Sequence, residues 1–158
     1  MQPEQQWPSV DLAYELVIPS YSWLQQRLDA VDSRIQTLQA FTATVTLGAP
    51  VLAAAIAKDI NLRSPLFLVA VAIFVGIVIA GAIARVWGNI RLISPKKIYA
   101  GWLHHSEWEF KRRAIYFAGE DYAANRSLIN AKGNVALGMS AGFLIETGLL
   151  LAWVLKEI

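Results

Sequence analysis

Apolar and polar positions alternate with a period that changes several times along the chain. Residues 1–20 sustain no period: Pro3, Pro8 and Pro19 interrupt scattered aromatics such as Trp7 and Tyr14, which predicts an irregular N-terminal segment with at most a short helical turn. From Ser20 the pattern changes. Leu24, Leu28, Val31, Ile35, Leu38, Thr42 and Val45 follow one another at spacings of 4, 3, 4, 3, 4 and 3, and Gln25, Gln26, Arg27, Asp29, Asp32, Arg34, Gln36 and Gln39 fill the other faces. This heptad seam, the pattern of a coiled coil, predicts a helix over residues 21–40 that is wet outside and packed along one stripe.

Residues 41–57 continue it as a more apolar helix carrying Thr42, Thr44, Thr46, Gly48 and Pro50. Pro50 lacks an N–H and frees the carbonyl of Thr46, which predicts either a static kink or a hinge. Lys58, Asp59, Asn61 and Arg63 form a polar turn, and Ser64 and Pro65 read as the N-cap and first residue of the next helix. From Leu66 to Ala84 nineteen residues carry no charged, amide or hydroxyl side chain, and twelve of them are Leu, Ile, Val or Phe. At insertion energies of roughly −0.3 to −0.6 kcal/mol each, those twelve favour a bilayer by about 4 to 7 kcal/mol. Nineteen residues at about 1.5 Å rise make a rod of roughly 28 Å, close to the hydrocarbon thickness. Residues 66–87 are therefore predicted as a transmembrane helix, residues 41–57 as the span before it, and the two as a tight hairpin.

Beyond Ala84, Arg85, Trp87 and Arg91 form the aromatic and cationic collar of a membrane surface. Ser94 and Pro95 start a short helix through Leu103; Ser106 with Glu109 is a capping box; and no proline follows Glu107, so one helix is predicted to Leu155. Its first half pairs Glu107 with Lys111 and Glu109 with Arg113 at i,i+4. Residues 95–132 read as a cytoplasmic helical stalk and residues 135–155 as a third span. The fold expected is an all-α integral membrane protein with three transmembrane helices and a cytoplasmic helical extension.

Composition and charge orient this picture. The chain of 158 residues is 56% hydrophobic and has no cysteine, which removes disulfides, thiolate metal sites and cysteine nucleophiles. Nine of its fourteen Lys and Arg lie between residues 85 and 134, two in the hairpin turn and one in the tail. The positive-inside rule then places the N-terminus and the long connection in the cytoplasm and the C-terminus outside a bacterial inner membrane. The first 37 residues lack the basic start, apolar run and small-residue cleavage site of a signal peptide, so Met1 is expected to be retained.

Candidate chemistry is sparse. Small residues recur four apart in each span: Ala49, Ala53 and Ala57; Ala72, Gly76, Ala80 and Ala84; Gly138 and Gly142. Such rows let helix backbones touch, either within one subunit or between subunits. Glu146 lies about eleven residues, roughly 16 Å, inside the third span, on the face of Gly138 and Gly142. A carboxyl at that depth must avoid lipid, so it is expected to be protonated or hydrogen-bonded to Thr46, Thr44 or Thr147. It serves as a structural hydrogen bond, a polar contact between subunits or part of an ion path. Lys96, Lys97, Lys111, Arg112 and Arg113 suit anionic lipid headgroups or a phosphorylated ligand. His104 and His105 point about 100° apart on a helix and lack spaced co-ligands, so no metal or cofactor is expected. There is no P-loop, no GxSxG and no nucleic-acid-binding signature, which argues against an enzyme.

The Asp32–Leu38 segment, with Glu109, Phe110, Lys111, Tyr122, Asn125, Ile129, Lys132 and Gly133, resembles the small bacterial SLATT and Pycsar-type transmembrane effectors of nucleotide-signalled antiphage systems. The chain departs from that pattern by its third span and by lacking a clear nucleotide-binding domain. The resemblance implies an oligomer that damages or depolarises the inner membrane when triggered. The function expected is thus a non-enzymatic, self-associating membrane protein, a homo-oligomer acting as a membrane effector; the alternative is an accessory or assembly subunit of a larger membrane complex.

Overall fold

The computed structural model of the chain describes residues 8–57, 60–88 and 90–157, without the side chains of Pro95 and Lys97. Among these residues every regular element is helical: α1 (Val10–Ile56), α2 (Pro65–Val86), α3 (Pro95–Gly101) and α4 (Glu107–Glu157). Three of them, α1, α2 and α4, are long and apolar enough to cross a membrane.

The helix α1 starts at Val10, so most of the segment expected to be irregular is helical; residues 1–7 lie outside the described residues. An interior proline forfeits an intrahelical bond and crowds the carbonyl four residues back, and contacts made by the helix, distant and local, offset that cost. Val10 and Leu24 are buried, Asp11 pairs with Lys111, and the Ser20 hydroxyl donates to the Leu16 carbonyl at 2.8 Å. The helix also runs on through Pro50. The heptad seam faces inward as predicted: Leu24, Ile35 and Thr42 are buried, and Leu28, Val31, Leu38 and Val45 half-buried.

Pro65 opens α2, but Ser64 does not cap it: its hydroxyl is buried without a hydrogen-bond partner among the described residues. The preceding turn is described only in part, since Lys58 and Asp59 lie outside the described residues. The chain leaves α2 through Gly88, whose φ of 77° is a left-handed conformation that favours glycine. The predicted stalk over 95–132 divides into α3, a non-helical corner and the first part of α4, because Trp102 turns inward to meet Phe117 and Phe110 at 5.4 and 5.7 Å. Half of the predicted capping box forms: the Glu109 N–H donates to Ser106 Oγ at 3.3 Å, while the Glu109 carboxylate turns to Arg113 and His105.

The chain folds as two compact units, to each of which α1 and α4 contribute. Unit 1 comprises Met1–Asp29 and Asn89–Asn130; unit 2 comprises Ala30–Gly88 and Ala131–Ile158. In unit 2, α1, α2 and α4 share two apolar layers. One holds Ile35, Ile77, Ala84, Ala136 and Met139; the other holds Ala49, Ala53, Ala70, Leu150 and Trp153. The layer with the higher α2 numbers, Ile77 and Ala84, holds the lower α4 numbers, Ala136 and Met139, and the layer with Ala70 holds Leu150 and Trp153, so these two helices are antiparallel. Bonds from α1 to α4 within this unit rise together, Asp32 with Lys132 and Thr46 with Glu146, so α1 and α4 are parallel with an offset of 100 residues.

Candidate functional site

Between the two apolar layers of unit 2 lies a polar cluster. Thr42 and Thr46 are one turn apart on α1, so their hydroxyls share a face, and Glu146 on α4 meets both. Thr42 Oγ1 donates to Glu146 Oε2, while Thr46 Oγ1 is in hydrogen-bonding contact with Glu146 Oε1 and also lies 2.8 Å from the Thr42 carbonyl oxygen. Glu146 has 0% exposure, which makes it a wholly internal carboxyl. Of the partners expected from sequence, Thr46 is in place, whereas Thr44 and Thr147 bond the carbonyls of Ala40 and Phe143 in their own helices. Both oxygens of Glu146 are thus engaged inside one protomer.

Nearer the start of unit 2, Lys132 is 2% exposed and reaches both oxygens of Asp32 at 3.0 and 3.1 Å. Gln39 donates from Nε2 to the Val78 carbonyl at 3.1 Å, and Gly81 makes the space: a Cβ there would stand 2.4 Å from that nitrogen. Sequence reasoning singled out none of these as site residues. The available signal was the stripe Lys132, Ala136, Met139, Phe143, Glu146, Leu150 and Trp153, whose spacings of 4, 3, 4, 3, 4 and 3 put one base and one acid on the buried face of α4.

The small-residue rows divide. Ala49 and Ala53 pack internally; Ala84 is buried and Ala80 packs against the same layer, whereas Ala72 and Gly76 are exposed. Gly142 closes on Ile77, which would lie 3.3 Å from an added Cβ, but Gly76 and Gly138 have open space in front of them. These two glycines line, with Ile73, Ala80, Val135 and Met139, a groove of about 350 Å³.

In unit 1 the predicted basic cluster is partly consumed by ion pairs. Lys111 reaches Asp11 at 2.7 Å and Glu107 at 2.6 Å, which hold its ammonium above the ordinary lysine range, and Arg113 pairs with Glu109 at 3.1 Å. That contact with Arg113 is the main reason the Glu109 carboxyl sits below its usual range. Lys96 and Arg112 remain exposed, Arg112 with its guanidinium 5.5 Å from the Trp108 ring centre; the Lys97 side chain lies outside the described residues. A second network joins α1, α4 and the connection after α2. Asn125 holds Arg91 by both backbone groups, accepting from its N–H at 2.8 Å and donating to its carbonyl at 2.9 Å. The Tyr21 hydroxyl lies 2.6 Å from that carbonyl and 3.0 Å from Asp121, and desolvation together with Asp121 pushes its pKa up to about 12. His105 pairs with Glu109 at 3.3 Å, and no group of three metal-ligating side chains occurs among the described residues.

No protein-family model, curated protein or solved structure matches this chain.

Proposed function

We propose that the chain is a non-enzymatic integral membrane protein that crosses a bacterial inner membrane three times, self-associates there and acts as a membrane-perturbing effector. The observation carrying this reading is the exposure of its apolar helices. Only 17–22% of the residues in the most apolar stretch of α1, α2 and α4 are buried in the protomer, so the rest require lipid or another helix as solvent. The groove at Gly76 and Gly138 supports self-association, because neither glycine is needed for packing inside the protomer. The positive-inside rule supports a cytoplasmic unit 1, and its exposed Lys96 and Arg112 suit anionic groups.

The test is purification in mild detergent after expression alone, with Gly138→Leu beside the parent. A parental homo-oligomer that dissociates at least tenfold more readily in the variant, with toxicity on overproduction that falls in parallel, is the expected result. A parental monomer, degraded unless companion proteins are supplied, would replace self-association with the accessory-subunit reading.

A further inference from the structure

The hydrogen-bond geometry of unit 2 assigns a protonation state to its buried acid. Three oxygen–oxygen contacts link the cluster: Thr42 Oγ1 to Glu146 Oε2, Thr46 Oγ1 to Glu146 Oε1, and Thr46 Oγ1 to the Thr42 carbonyl oxygen. Each needs one proton, and each threonine hydroxyl has one to give. With Glu146 as a carboxylate, the cluster has two protons for three contacts. One pair of oxygens would then face each other with no hydrogen between them, in a site that water does not reach.

We propose that Glu146 is a proton-binding site. Its carboxyl O–H donates from Oε1 to Thr46 Oγ1, the Thr46 hydroxyl donates to the Thr42 carbonyl, and Thr42 Oγ1 donates to Oε2. Three contacts then hold three protons and every polar atom named is satisfied. The surroundings supply no counter-charge that would favour the ionised form. On α1 the facing groups are the two threonines and, a turn earlier, Gln39, which is bonded to Val78. On α2 the described residues from Pro65 to Ala84 hold no ionisable side chain, and Arg85 is exposed and twelve residues, about 18 Å of helix, from Ile73, which packs beside Gly142. On α4 the nearest bases are Lys156, ten residues or about 15 Å away and exposed, and Lys132, fourteen residues or about 21 Å away and engaged with Asp32. A bare carboxylate this isolated is the costliest state for a buried acid, and taking up a proton removes the charge.

The inference gives the acid of the membrane reading its chemical state, and it fails separately from that reading. If the chain were not integral, alkaline carbonate would strip it from membranes; if Glu146 were ionised, the infrared spectrum would change instead. The experiment is infrared spectroscopy at neutral pH on the full chain in lipid vesicles, with its seven glutamates labelled with carbon-13 at the side-chain carboxyl. The expected result is a labelled carboxylic-acid carbonyl band that disappears in Glu146→Gln, whose amide can copy the neutral hydrogen-bond pattern. In Thr46→Val, which removes the acceptor of the carboxyl proton, the band should move to higher frequency. Carboxylate bands alone, an acid band that survives Glu146→Gln, or one unmoved by Thr46→Val would each overturn the assignment.

Discussion

Single residues here show how far a helical pattern can be read and where it stops. Glu146 was legible because an ionisable side chain deep in an apolar run has few permitted surroundings, and Thr46 followed from it as a donor one helix away. Thr42 escaped because its spacing made it a member of the heptad seam, and a seam position is ordinarily apolar; only the register of α1 against α4 shows that its hydroxyl meets the acid. From sequence Lys111 reads as the i,i+4 partner of Glu107 and as a cation for anionic headgroups, and its second contact is hidden. Its partner Asp11 is 100 residues distant, in a segment whose prolines hid the helix. Tyr21 shows how such a distant contact can be tested. Its folded-state pKa of about 12 is above the ordinary value of 10.0, so the fold favours the protonated phenol. The stability it contributes is fully present below pH 10 and is lost as pH rises from 10 toward 12. An absorbance titration should therefore show one tyrosine ionising near pH 12 that Tyr21→Phe removes, and the variant should lose less stability than the parent across that interval.

At the scale of elements, the apolar core of α2, its Pro65 start and the long final helix were legible because each rests on local chemistry: unbroken hydrophobicity, the fixed φ of proline, and a serine placed three residues before an acid. The pairing of α1 with α4 was not, since period alone does not choose a partner or a direction. Contacts at one offset of 100 residues recur within each unit, Asp11 with Lys111 and Tyr21 with Asp121 in one, Asp32 with Lys132 and Thr46 with Glu146 in the other. In unit 2 the Asp32–Lys132 pair fixes that register, because slipping α4 by one residue would bury the ammonium without its partner. Asp32→Ala is expected to destabilise the protein by about 3 kcal/mol, at the lower end for a stranded buried charge because the Asp32 side chain is 29% exposed. Asp32→Leu combined with Lys132→Met should restore most of the loss in detergent unfolding. A double variant no more stable than Asp32→Ala would show that the pair does more than neutralise itself.

For the molecule as a whole, the sequence conveyed a class, an order of helices and a direction of charge, all of which follow from composition along the chain. It did not convey which small residues face inward. Gly142 and Gly138 are equivalent by spacing, yet one closes on Ile77 and the other opens on a groove, a difference set by where α2 passes and therefore visible only in three dimensions. The proposal that remains central is that three helices cross a bilayer, with unit 1 and the N-terminus on the positively charged side and the 57–64 turn and C-terminus on the other. Because the chain has no cysteine, single cysteines report cleanly. The decisive measurement is labelling by a membrane-impermeant maleimide of Gln26→Cys, Ser127→Cys, Arg63→Cys and Lys156→Cys in intact cells and in inverted vesicles. Arg63→Cys and Lys156→Cys should react from outside intact cells and Gln26→Cys and Ser127→Cys only in inverted vesicles; all four reacting from the same side would contradict the three-span topology.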